Sequence, residues 1–190
     1  MPLPDSARLF VALELPARVR MQLVEWRSAA IGDRDDLRLV AADSLHVTLA
    51  FLGSRPMAEV EAIAAAVSDA VSGLKAARLQ AAGVKAVPRR RPRLFAVDLA
   101  DPDGACAALQ AAVAGALEAG GHYKPERRDF WPHVTVARVV RGARTVPPIT
   151  TPPPASPFTA REVTLYRSHL GGGPARYEAL GRWRLKPLRG

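Results

Sequence analysis

Residues 46–49 read His46-Val47-Thr48-Leu49, and residues 133–136 read His133-Val134-Thr135-Val136. Both are short and rich in β-branched residues, which favours strand. Successive strand side chains point to opposite faces, so each histidine shares a face with its threonine while the apolar pair faces a core. At ~3.3 Å per residue, imidazole and hydroxyl stand about 6.6 Å apart along the backbone. The flanking chain repeats too. Residues 8–14, Arg-Leu-Phe-Val-Ala-Leu-Glu, and 93–98, Arg-Leu-Phe-Ala-Val-Asp, begin 85 residues apart, and the His-Val-Thr segments lie 87 apart. After the first, Pro16 sits where a first helical turn accepts proline, and Val19, Leu23 and Trp26 recur at helical spacing. After the second, Asp101 with Pro102 behind it reads as an N-cap, and Cys106, Leu109, Val113 and Leu117 form one apolar stripe. A strand–helix–strand unit therefore occurs twice. The order predicts two related lobes about a pseudo-twofold axis, with both His-x-Thr pairs in one cleft.

The rest of the chain fits an α+β protein of antiparallel sheets backed by helices. A helix is expected over 56–74, with Val60, Ile63, Val67, Val71 and Leu74 on one face, and strands over 77–87, 161–169 and 176–185. Six prolines within 142–158 predict an extended surface loop, because proline cannot donate to a ladder. Gly171-Gly172-Gly173 reads as a hairpin turn. Residues 1–190 are expected to form a single domain of two intimately packed lobes.

Composition narrows the class. The chain has 190 residues, 48% hydrophobic and 24% charged, which suits one globular domain and excludes wholesale disorder. One cysteine, Cys106, excludes an intramolecular disulfide and any Cys-rich zinc site, and its place on an apolar stripe predicts a buried, inert thiol. The apolar run Leu9–Leu13 is cut by Glu14 and lacks a basic leader, so a cytoplasmic, non-membrane protein is expected. There are 27 Lys+Arg against 18 Asp+Glu, a net charge of +9, and 23 of those cations are arginine. Arginine forks suit phosphate oxygens, although a genome rich in Arg, Ala, Pro and Gly codons explains the count equally well.

Two histidines across a cleft can serve as general base and general acid near neutral pH. Two hydroxyls beside them can donate to the nonbridging oxygens of a phosphate. Zinc usually takes three or four protein ligands, and the sequence has no His-Glu-x-x-His and no carboxylate at ligand spacing beside either motif. No Gly-x-Ser-x-Gly elbow supports a serine nucleophile. No metal and no cofactor is expected.

HVTLAFLG (46–53) and PHVTVAR (132–138) resemble the two signature motifs of the two-histidine (2H) phosphoesterase superfamily. The opening RLFVALELP (8–16) is similar to that of the RNA 2′,3′-cyclic phosphodiesterases, the 2′-5′ RNA ligase or LigT-like family, and the resemblance runs from Arg8 to Leu185. It implies a bilobal fold around a central cleft and metal-independent hydrolysis of a terminal RNA 2′,3′-cyclic phosphate to a 2′-phosphate. Some relatives also join RNA ends through a 2′-5′ linkage. On this reading His133 is the base for water and His46 the acid for O3′, although pseudo-symmetry lets them exchange. Thr48 and Thr135 clamp the phosphate. The resemblance places Arg138 there as well; an ideal strand would turn it to the opposite face from His133, so a bulge or strand end must re-aim it. Otherwise it forms a surface salt bridge.

Candidate RNA contacts are the basic runs Arg89-Arg90-Arg91 and Lys124, Arg127, Arg128, with Arg8 at the cleft and Phe10, Phe51 or Trp131 stacking on a base. The competing readings are a solvated charged face and core aromatics. His122 reads as a surface turn residue, and His169, before the glycine run, as a candidate substrate contact. Two other functions fit the residues: a phosphodiesterase for small cyclic nucleotides or 2′-5′-linked oligonucleotides, and a noncatalytic RNA-binding module. A monomer meets every requirement.

Overall fold

The computed structural model describes residues 6–143, 145–169 and 175–188. The chain runs β1 (Ser6–Glu14), α1 (Ala17–Ile31), β2 (Leu37–Leu39), β3 (His46–Pro56), α2 (Val60–Val71), β4 (Ala77–Val87), β5 (Leu94–Ala100), α3 (Ala105–Ala119), β6 (His133–Val139), β7 (Phe158–Ala160), β8 (Glu162–His169) and β9 (Arg176–Arg184). The strands form one antiparallel sheet in the order β7-β4-β5-β6-β3-β1-β8-β9, with β2 also paired to β6. Read outward from its middle, the order is a pseudo-twofold: β3, β1, β8, β9 on one side answer β6, β5, β4, β7 on the other. The chain does not divide at its midpoint, because β8 and β9 return from the C-terminus to complete the half begun by β1 and β3.

One face of the sheet carries Leu9, Val11, Leu13, Val47, Leu49, Val97, Val134 and Val136, all buried in the same core as Leu23, Ile63, Val67, Leu109 and Leu117 of the three helices. At about 25 cal/mol per Å² of apolar area, this burial holds the layers together. The other face carries the cleft.

Several expectations hold with adjusted edges. Helix α2 is shorter than 56–74: Pro56 leads into a 3₁₀ turn over 57–59, and Gly73, at φ +81°, stops the helix. The N-cap position of α3 is Gly104 rather than Asp101, yet the Asp101 carboxylate still accepts from the N–H groups of Cys106 (3.2 Å) and Ala107 (2.9 Å). Cys106 is buried, and burial pushes its thiol up to about 12. The proline-rich loop is extended and anchored by buried Ile149 and by Arg34, which donates to the Pro147 carbonyl. Strand β2 was not expected. Gly171–Gly173 lie outside the described residues.

Candidate active site

The joint between the two halves of the sheet is a single register pair, Val47 opposite Val134 in antiparallel β3 and β6. That register sets His46 beside Thr135 and Thr48 beside His133, as cross-strand neighbours whose Cβ atoms lie about 4.5–5.5 Å apart. Both valines are fully buried on the core side, so the two His-x-Thr pairs share the cleft side. The axis relating the motifs thus passes through the site.

Each strand then departs from alternation in the same way. Between β1 and β3, Val11 pairs with Ala50 and Ala12 with Thr48, leaving Leu49 as an extra residue. Between β5 and β6, Phe95 pairs with Ala137 and Ala96 with Thr135, leaving Val136 extra. Each bulge buries two successive side chains, Leu49-Ala50 and Val136-Ala137, and returns the next residue to the cleft face. The returned residues are Phe51 and Arg138, which both line a cleft of about 900 Å³ with His46, Thr48, His133 and Thr135. The pairing also corrects the apparent repeat. Glu14 beside His46 corresponds to Asp98 beside His133, 84 residues on, so the two Arg-Leu-Phe segments are one residue out of structural register.

The histidines are held alike at one nitrogen. His133 Nδ1 donates to the Trp131 carbonyl at 2.8 Å, and His46 is hydrogen-bonded to the backbone of Ser44. For His133 this leaves Nε2 for chemistry. Their surroundings differ. His46 stacks on Phe10 (4.9 Å, 25°) and meets Tyr177 edge-on (5.7 Å, 70°), with Tyr166 behind. Burial drives its pKa down to about 4, and the charges of His133 and Arg138 push the same way. His133 stacks on Trp131 (4.2 Å, 16°). Burial lowers its pKa too, with Arg128 acting in the same direction, while the Trp131 carbonyl, Asp98 and Glu126 oppose.

The cleft is cationic. Arg138 lies in register with Arg38 of β2, and both line the cleft with Arg8, whereas none of the described lining residues is acidic. Like charges directly across a ladder repel. Two guanidiniums converging without a carboxylate suit an anion between them.

The model of the family described as 2′-5′ RNA ligase superfamily matches residues 15–172. The chain belongs to that superfamily. It is 32% identical to the RNA 2′,3′-cyclic phosphodiesterase of Escherichia coli strain K12 over 186 residues, covering 95% of this chain and 98% of that one. The crystal structure of E. coli LigT complexed with 3′-AMP superposes with a TM-score of 0.78 at 30% identity, covering 95% and 99% of the two chains. A solved Thermus thermophilus protein gives 0.78 at 27% identity, covering 96% and 100%. The LigT-like fold expected from the two motifs is the fold found.

In this superfamily member the cleft gathers His46, Thr48, His133, Thr135, Arg138, Arg8 and Phe51, together with His169, whose Nε2 lies 2.8 Å from Glu178. Phe51 is 44% exposed, with Arg8 over its ring at 4.7 Å, so its face is open to a stacking partner. Phe10 also borders the cleft, but at 4% exposure its ring is stacked on His46 and largely covered. Arg89, Arg90 and Arg91 line a separate groove of about 1120 Å³ with Lys85, and Trp131 forms a wall of it. Lys124 and Arg127 are exposed and do not line the cleft, and Arg128 pairs with Glu126. His122, expected as a surface turn residue, is half-buried. Its Nδ1 sits 2.8 Å from the Glu59 carboxylate, with Arg55 bonded to the same group. A second cavity of about 1210 Å³ shares Ser44 and Tyr177 with this cleft but contains neither His-x-Thr pair.

Arg38, Tyr166, Tyr177 and Asp98 escaped the sequence reading. The first depended on an unforeseen strand, and the tyrosines on strands that return from the far end of the chain. The carboxylate of the repeated Arg-Leu-Phe segment was the one available signal, since it pointed to Asp98 through Glu14.

Proposed function

We propose that this protein is an RNA 2′,3′-cyclic phosphodiesterase that opens a terminal cyclic phosphate to a 2′-phosphate, needing no metal, with His46 and His133 as its acid–base pair. The observation that carries the reading is the single register pair joining the two halves of the sheet, beside which two imidazoles and two threonines line one cleft. The E. coli relative's name gives the same activity.

In the reaction, water attacks phosphorus, the P–O3′ bond breaks, and O3′ leaves in line. One imidazole Nε2 takes the proton that water loses, and the other supplies the proton that O3′ gains. Each transfer is worth ~10²–10⁴-fold. Thr48, Thr135, Arg138 and Arg38 donate to the nonbridging oxygens and stabilise the charge that develops there. Phe51, backed by Arg8, is the platform for the terminal base, and the Arg89–Arg91 groove lies beyond Trp131 for phosphates further along the strand. A 5′-hydroxyl replacing water in the same steps gives a 2′-5′ linkage.

The test is incubation with an RNA oligonucleotide ending in 2′,3′-cyclic phosphate, in EDTA, with identification of the product terminus. A 2′-phosphate is expected. No reaction, a 3′-phosphate, or loss of turnover on chelation would contradict the proposal.

A further inference from the structure

The cleft and the Arg89–Arg91 groove have no described lining residue in common, yet they meet at one side chain. His133 lines the cleft and Trp131 the groove. The Trp131 ring stacks on the His133 imidazole at 4.2 Å and 16°, and the Trp131 carbonyl accepts the His133 Nδ1–H at 2.8 Å. Ring and carbonyl of one residue thus set both the tilt and the rotation of the imidazole, and with them the aim of its Nε2. Trp131 precedes β6 and belongs to no strand. Its indole is held from the neighbouring strands instead. The N–H donates to Asp98 Oδ1 on β5, Lys85 Nζ on β4 lies 2.7 Å from Asp98 Oδ2, and the same ammonium sits 5.1 Å from the centre of the indole ring. Lys85 also lines the groove with Arg89, Arg90 and Arg91, and none of the described lining residues there is acidic. An ammonium carries three donors, and Asp98 takes one. The Lys85 side chain is 55% exposed, so its other donors are open to a strand phosphate.

We propose that Lys85, Asp98 and Trp131 are positioning residues through which an RNA strand seated in the Arg89–Arg91 groove aligns His133, so that the cyclic end of a strand is opened faster than a cyclic mononucleotide. The inference rests on the phosphodiesterase reading above and deepens it, because it names the substrate as a strand long enough to reach the groove. An exposed ion pair alone holds its partners loosely. A backbone phosphate on the groove side fixes the Lys85 ammonium between two anions, Asp98 and the strand. Asp98 then anchors the indole, and the indole and its carbonyl hold the imidazole in its working orientation. None of the three touches a reacting atom, and the effect is the same whichever proton His133 moves. Contacts far from the reacting phosphate are thereby realised as rate, so a truncated substrate loses rate at saturation as well as affinity. A plain cationic face would change affinity alone.

The test compares a 2′,3′-cyclic mononucleotide with RNAs of increasing length that carry the same terminal base and cyclic end. Single-turnover kinetics separate the rate at saturation from the half-saturation concentration. In wild type the saturating rate should rise about tenfold once the strand reaches the groove, less than the ~10²-fold that an ångström of misplacement costs. Lys85→Met should bring the ratio of strand to mononucleotide rates close to one. Lys85→Arg, which keeps a cation with spare donors, should preserve it. A ratio near one in wild type would overturn the proposal. So would a ratio that survives in Lys85→Met while only the half-saturation concentration rises, because Lys85 is then a phosphate contact and nothing more. Wild-type protein inactive on every cyclic end would instead refute the phosphodiesterase reading. The His133 ring signals in NMR would then decide the positioning role: an RNA strand with a 3′-hydroxyl end should shift them far more in wild type than in Lys85→Met, and equal shifts would overturn it.

Discussion

His46 should make the protein unstable in mild acid. In the unfolded chain its imidazole takes a proton near its ordinary pKa of ~6.5. In the folded chain, enclosed by Phe10, Tyr166 and Tyr177, it resists protonation until about 4. Between those values the unfolded state binds one more proton at this residue, so folding free energy falls as pH falls, by ~1.36 kcal/mol per pH unit. Over the whole window the loss is on the order of 3 kcal/mol, a large share of the ~5–15 kcal/mol that holds a typical domain folded. Urea unfolding of wild type and His46→Asn at steps from about pH 7.5 to about pH 4.5 isolates this group. Other titrations largely cancel in the difference: those of Asp98 and Asp36, whose lowered pKa values cost stability as pH falls, and of Glu14, whose raised pKa acts the other way. The wild-type curve should descend more steeply, the gap between the two changing by roughly 2–3 kcal/mol across that range. Parallel curves would refute the claim that the surroundings of His46 suppress its protonation.

Arg138→Ala should lower kcat/KM by roughly ten- to a hundredfold, the value of one or two charge-assisted hydrogen bonds of ~1.5–3 kcal/mol, and steady-state kinetics on a cyclic-ended oligonucleotide checks it. Because Arg38 and Arg138 stand in register, inorganic phosphate should raise the melting temperature, and Arg38→Ala should remove most of that rise. Replacing Arg89, Arg90 and Arg91 together by Gln should reduce the slope of log binding constant against log salt by about 2, at ~0.7 per single-strand phosphate contact. An unchanged slope would leave those arginines as a solvated face.

Local pattern carried much of this fold because the period of two and the period of 3.6 are written into each element. Val47 and Val134 face the core as alternation requires, and α3 buries the stripe Cys106, Leu109, Val113 and Leu117. The duplicated His-x-Thr segments gave the site's centre for the same reason. The re-aiming of Arg138 needed a bulge at Val136, and a bulge is a property of the pairing between two strands, which one strand's sequence does not encode. Pairing also decided that Leu94, not Phe95, answers Phe10, a one-residue slip that exchanges core for cleft. The aromatic enclosure of His46 draws on Tyr166 and Tyr177, more than a hundred residues away in the chain, brought in by β8 and β9. The arginine runs were conspicuous in sequence, but the cationic floor of the cleft is built from Arg8, Arg38 and Arg138, which are scattered along it.

On the proposed mechanism two histidines, joined by one register pair, perform both proton transfers. Single-turnover hydrolysis of an RNA 2′,3′-cyclic phosphate end by His46→Ala and by His133→Ala, with folding verified by circular dichroism, tests this most directly. Each variant should lose at least ~10²-fold in rate, and the double variant should lose little more than the worse single one, since the pair acts as a unit. A near wild-type rate in either variant would contradict the account.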